Sequence, residues 1–348
     1  MDFSKKIIGE IHKCYAAAGI IADGKPHLVF AGEGDGSLRI FSGEGFRKET
    51  TLWEEGGGTM SLSPISEKNG YFLASRGFYS MVNAKKSNVV IVRYDKGEFS
   101  YKKIVDLPNL HRFDILTGRN GAKYFLGATI SEHKDSKEDW SQPGKLYASR
   151  FPDNPEKDFE LDLRVIKQDL YINHGYSKGV YNGCEAGYVG SKEGVFAVVP
   201  PEHPDAHWQI ERLLDVEASD VAAIDIDADG ETELAVISPF HGDRFEIYKK
   251  ICGDYKSVYT FPQHQDFYHV AEACTLDGIP VFIGGARRGE KQLFAISYDK
   301  HEKKFTEQII DSSIGPSNAS VFKYNGNEII LCAGRESGQA IIYELQRV

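Results

Sequence analysis

Four histidines carry the chemistry in this 348-residue sequence. His111, His174 and His269 each stand at the start of an apolar run, and His241 sits in the loop SPFHGD. An imidazole titrates near neutral pH when unperturbed and ligates metals when neutral, so histidines brought to one place suit proton transfer or metal binding. Acids, amides and cations recur at equivalent places: Asp220 and Asn318 at run starts, Arg76, Lys192, Arg287, Arg335 and Glu336 in loops. Hydrogen-bonding and charged groups of this kind bind hydroxyls and oxyanions, and arginine pairs readily with carboxylates. Their value depends on whether the fold gathers them.

The stretch 215 to 250 shows how it does so. An apolar run Val221 to Ile226 turns on Asp227–Gly230, a second run Leu234 to Ser238 leads to the loop Pro239 to Asp243, and a third run Arg244 to Tyr248 returns. Short runs separated by Asp/Gly or Asn/Gly turns are hairpin signals, and they are too short for helices. The pattern recurs seven times, with turns at Asp23-Gly24, Asn69-Gly70, Asn120-Gly121, Asp277-Gly278 and Asn325-Gly326 among others. More polar runs such as FRKETTLW, FSYKKIVDL and FTEQIIDS separate the copies and read as outer strands. The last copy lacks such a strand, and SKKIIGEI at residues 4 to 11 supplies one. Closure of a ring by the opposite end of the chain leaves no long free edge. The sequence therefore predicts an all-β fold, a seven-bladed β-propeller of four-stranded antiparallel blades occupying 1–348 as one domain. Its segment 132 to 143 is an insertion loop.

In such a blade the start of the innermost strand and the loop between the second and third strands share one face. Cys14, Thr59, His111, His174, Asp220, His269 and Asn318 then form one ring, and Glu33, Arg76, His133, Lys192, His241, Arg287, Arg335 and Glu336 surround it at one mouth of the channel. The turns lie on the other face, among them Asp225, Asp227, Asp229 and Gly230 with Glu233. This DxDxDG run resembles the calcium loops of FG-GAP repeats, but since the other blades carry only DG or NG, it reads as a turn without metal, its carboxylates bonded to nearby amides.

Composition narrows the partners. A formal net charge of −10 offers no basic footprint for a phosphate backbone or an anionic membrane surface. A small molecule is the expected partner, with no nucleic acid and no membrane. No apolar run reaches signal-peptide or membrane-spanning length, which predicts a cytoplasmic protein. The five cysteines are odd in number, without a CxxC pair, and read as buried free thiols. Gly32, Gly34 and Gly36 precede no helix, Ser219 lies in no GxSxG elbow, and Cys184 reads as core.

Several segments resemble a known family. NHGY at 173 to 176, SDVAAIDIDADGETELAVISPFHGD at 219 to 243, GIPVFIGGARRGEKQLFAISYD at 278 to 299, and IGPSNASVFKYNG with AGRESGQAIIYEL are similar to the propeller domain of aldos-2-ulose dehydratases. Those enzymes are lyases acting on 1,5-anhydro-D-fructose and related 2-keto sugars. The resemblance covers the second half of the chain and is sharpest at NHG, SPFHGD and GRES. It implies a dehydration, which needs a base for the proton beside the carbonyl, an electrophile for the enolate oxygen and an acid for the departing hydroxyl. His174, His241 and His269, from adjacent blades, are the expected ligands of one divalent ion (Mg, Mn or Zn). His111, across the mouth, is then the free base or acid. Asp220 and Asn318 are expected on sugar hydroxyls, with Arg76, Lys192, Arg287, Arg335 and Glu336 as further substrate contacts. Two other readings remain open: a metal-dependent eliminase of uronates, and a propeller that binds a sugar or a protein without catalysis.

Overall fold

A computed structural model describes residues 1–65, 69–203 and 206–346. The described chain forms seven four-stranded antiparallel sheets arranged as a ring. The innermost strands are Cys14–Ala22, Leu62–Pro64, Leu110–Thr117, Gly175–Tyr181, Asp220–Ile224, Tyr268–Leu276 and Pro316–Tyr324, defining blades 1 to 7. They neighbour one another in chain order, and the seventh lies against the first.

The turns obey the backbone rules that predicted them. Asp23 and Gly24 have φ of 49° and 67°, Asp277 and Gly278 48° and 77°, and Asn325 and Gly326 48° and 79°. Two successive left-handed residues make the hairpin turn whose twist matches the flanking strands, and Asx-Gly pairs adopt it at low cost. Blade 2 differs from expectation, because its inner strand is only three residues long. It ends at Pro64, which has no amide hydrogen to donate to a ladder.

Ring closure follows the sequence reading. The strand Asp2–Glu10 pairs antiparallel with the last strand, Gln339–Gln346, in register Phe3 to Leu345 and Ile7 to Ile341, with an irregularity between Ile7 and Gly9. Each pair of neighbouring sheets encloses its own apolar core. Phe245 and Ile247 of blade 5 meet Phe282 and Phe294 of blade 6, and Phe30 and Phe41 of blade 1 meet Leu331 and Ile342 of blade 7. The other five junctions are filled in the same way. Cores between blades leave the axis free for polar residues, and this places the site.

Three cysteines are buried as expected and none is in a disulfide, but Cys252 is exposed and Cys274 half-buried. Cys252 occupies a left-handed turn position before Gly253, outside any core. Among the described residues no helix is long and apolar enough to cross a membrane.

Candidate functional site

The mouth is built on hydrogen bonds from ring nitrogens to backbone. His111 Nδ1 donates to His174 O (3.1 Å), His174 Nδ1 to Ser219 O (2.8 Å) and His269 Nδ1 to Ser317 O (2.6 Å). Each bond reaches the inner strand of the next blade. A carbonyl only accepts, so each Nδ1 carries the hydrogen and each Nε2 keeps a lone pair. The tautomer is thereby fixed by the β-ring itself.

His241 arrives from above. Its backbone is left-handed (φ 49°), costing a residue with a Cβ about 1 kcal/mol. Its amide donates to Ser219 Oγ (3.0 Å), so Ser219 fixes both His174 and His241. Gly242 follows where a Cβ would lie 2.5 Å from Pro239 Cδ, so the loop closes only around a glycine. The imidazole is sandwiched between Phe240 (centroids 3.8 Å apart) and Phe267 (4.1 Å).

His174, His241 and His269 each offer a nitrogen, and these atoms lie within 4.8 Å of one another. The Nε2 atoms of His174 and His241 are 3.3 Å apart. Two imidazoles on one tetrahedral zinc ion, with nitrogens about 2.0–2.1 Å from it, stand about 3.3 Å apart, so the residues present fit such an ion. Three neutral nitrogens suit zinc better than manganese or magnesium, which prefer oxygen ligands. Burial is the main cause holding all four histidines below the usual range, with neighbouring histidines and the Arg112 and Arg287 guanidiniums adding to it. His174 is pushed down to about 3.

His111 does not lie across the mouth as the sequence suggested. It lies beside His174, the ring centroids 4.3 Å apart and the planes tilted, because His174 stands at the head of the adjacent inner strand. Phe78 flanks His111 and Tyr15 flanks His269, the Tyr15 hydroxyl lying 3.3 Å from His269 Nε2. The insertion loop lays Trp140 against Phe240 and Lys134 over the Trp140 ring (3.1 Å).

The other predicted contacts divide. Arg287, Arg335 and Glu336 do gather at the mouth, but as one network: Arg287 Nε and Nη2 reach Glu336 Oε1 at 2.9 and 2.7 Å, Arg335 Nη1 reaches it at 2.9 Å, and Arg335 Nη2 pairs with Glu33. Against burial, the two guanidiniums hold the Glu336 carboxyl below its usual range. These cations are already neutralised. Asp220 is buried a layer deeper, accepting from the Val221 and Tyr176 amides, and burial, opposed by Arg112, pushes it up to about 7. Asn318 spends one of its amide hydrogens inside the protein, Nδ2 donating to Tyr15 O (2.5 Å).

Two of the predicted contacts lie apart from the histidines. Arg76 points to the rim, stacked on Trp53 (4.6 Å) and Tyr101 (5.0 Å), because outer-strand aromatics offer it a cation–π site. Lys192 is exposed in the turn joining Cys184–Ser191 to Gly194–Val199. His133, likewise outside the cluster, pairs with Asp135 at 2.7 Å.

Sequence reasoning missed Arg112. It is buried beneath the histidines, its Nη1 donates to Met60 O of blade 2 (2.7 Å), its Nη2 stands 4.0 Å from Asp220 of blade 5, and its Cζ lies 5.6 Å from the Tyr15 ring of blade 1. One side chain from blade 3 thus spans the channel as a crossbar. Its position next to His111 was the only available signal.

At the far end of blade 5, Asp225, Asp227 and Asp229 also converge within 4.8 Å. Lys249 fills that cluster, paired with Asp227, with Asp229 at 2.7 Å and with Glu233 at 3.2 Å. Asp225 accepts from the Asp229 and Gly230 amides.

No family model matches the chain, and no curated protein is significantly similar to it. Among solved structures the chain is similar to Saccharomyces cerevisiae Sqt1, at 10% identity and a TM-score of 0.55, over 100% of this chain and 99% of that one. At that identity the likeness speaks for architecture alone, and with the sheet order it identifies the chain as a seven-bladed β-propeller.

Proposed function

We propose that the histidine mouth is the active site of a metal-assisted carbon–oxygen lyase acting on a 2-keto sugar such as 1,5-anhydro-D-fructose. The observation that carries this reading is the convergence of the His174, His241 and His269 nitrogens within 4.8 Å, with the Nδ1 atoms of His174 and His269 bonded to backbone carbonyls. A divalent ion held there would polarise the substrate carbonyl and stabilise the enolate charge. His111 is neutral, has its Nδ1 committed to His174 O, and keeps Nε2 to accept the proton beside the carbonyl. The C–H electron pair becomes the new double bond as the β C–O bond breaks. The Tyr15 phenol, kept protonated by burial, gives its proton to the departing hydroxyl, which leaves as water. Phe78, Phe240 and Trp140 exclude solvent around these groups.

The uronate reading is weaker, because the Arg287 and Arg335 guanidiniums that would clamp a carboxylate are paired with Glu336 and Glu33. The test is incubation of the zinc- or manganese-loaded protein with 1,5-anhydro-D-fructose while following the absorbance of an unsaturated ketone. Turnover is expected, and His111→Ala should lower it about a hundredfold or more with the metal content unchanged. Full turnover by that variant would remove His111 from the proton transfer. No absorbance change with any keto sugar would leave the mouth as a binding site.

A further inference from the structure

Beyond the Arg112 crossbar the channel opens into a second chamber of about 380 Å³, lined by six of the seven inner strands or the residues just before them and by none of the four histidines. Four ionisable side chains with opposite charges face it: Arg112, Asp114, Lys178 and Glu272. Two of them satisfy each other. Lys178 Nζ lies 3.6 Å from Asp114 and 3.2 Å from Glu185, and donates to Ile115 O at 3.2 Å, while Ser63 Oγ donates to Asp114 (2.6 Å).

The other two do not satisfy each other. Arg112 donates Nη1 to Met60 O, while its ion pair with Asp220 is long, at 4.0 Å beyond hydrogen-bond length. Glu272 makes no hydrogen bond and no ion pair among the described residues, and the charges that act on it are the carboxylates of Asp220 and Asp114. Burial first, and then those carboxylates, push it up to about 8, the condition of an acid lacking a cation. Arg112 and Glu272 line the same cavity without pairing with each other.

A lone anion would satisfy only Arg112, and a lone cation only Glu272. We propose that this chamber is a second small-molecule site that binds a zwitterion, an amino acid whose carboxylate meets the Arg112 guanidinium and whose ammonium meets Glu272. The guanidinium presents paired N–H donors suited to a carboxylate. The cavity has the size of a small-ligand pocket. The site is independent of the chemistry at the mouth.

A ruler of ω-amino acids tests this: glycine, β-alanine, 4-aminobutyrate and 6-aminohexanoate, measured by saturation-transfer NMR and calorimetry on the intact protein. Butyrate and butylamine carry one charge each and serve as controls. One chain length is expected to bind about tenfold or more tightly than either control, and Glu272→Gln to lose about that factor. Thermal stability at pH 4.5, and metal binding at the histidines at neutral pH, should be unchanged in the variant. The proposal is overturned if no member binds at tens of millimolar, if butylamine binds as well as the best zwitterion, or if Glu272→Gln keeps full affinity.

Discussion

At the aspartate turn three carboxylates lie within 4.8 Å of one another; at the mouth three imidazoles do the same. The carboxylates repel, and the fold answers with its own cation, since Lys249 touches Asp227, Asp229 and Glu233. Those acids hold the Lys249 ammonium protonated despite its partial burial. The imidazoles are neutral through burial and need no counter-charge. They stay together because Ser219 and Ser317 hold them from behind. The aspartate cluster thus contains a cation of its own, whereas the imidazole cluster is held by backbone and hydroxyl hydrogen bonds.

The contrast can be broken first at the mouth. A protein with both His174→Ala and His241→Ala should lose about a hundredfold or more in zinc affinity, read by metal analysis and by the visible spectrum of cobalt-loaded protein. Asp225→Ala should leave both unchanged; equal losses from the two ends would erase the distinction. Next comes Lys249→Met, which leaves buried Glu233 and Asp227 without a cation and should cost roughly 3 kcal/mol. Millimolar calcium should restore part of that melting temperature in the variant and do nothing for the parent.

A smaller effect is set by pH. The Glu272 carboxyl is raised from 4.5 to about 8 in the folded protein, so the folded state keeps the proton to higher pH than the unfolded chain does. Its contribution to stability is complete below about pH 4.5 and is lost as pH rises through 8. Glu272→Gln should therefore melt higher than the parent at pH 9, by roughly 1–2 kcal/mol after allowing for water in the chamber, with the gap closing towards pH 5. An unchanged difference across that range would place Glu272 in a different environment. Smallest of all, Arg76→Ala should cost about 0.5–1 kcal/mol of stability from the lost contacts with Trp53 and Tyr101, with turnover and metal affinity intact.

The contrast also marks what the sequence can convey. Turn signals at repeated spacing predict the blades, since Asx-Gly backbone preferences are local and survive in any context. His111, His174 and His269 were legible because they occupy equivalent places in the repeat, and position in a repeat fixes position on the ring. Side-chain direction is not local. Arg76 and Arg287 occupy equivalent loops, yet one turns to Trp53 and the other to Phe267 and Glu336, decided by neighbours from other blades. Arg112 escaped notice because its reach is visible only when blades 1, 2 and 5 are in place around it. Phe240 and Phe267, the rings enclosing His241, lie in loops whose apolar residues carry no periodic signal.

The strand Asp2–Glu10 completes the blade whose other three strands come last in the chain, with Phe3 opposite Leu345. During synthesis it leaves the ribosome long before its partner exists. Throughout that interval its backbone is an unpaired edge, open to wrong neighbours and to other nascent chains. Its side chains suit the wait, since Lys5 and Lys6 stand at its centre and Ile7 remains exposed even in the finished ring. Charged residues on an unpaired strand discourage premature pairing. Ring closure is then a late event in biosynthesis, and the Tyr15 to His269 contact across blades 1 and 6 forms only after blade 6 has been made.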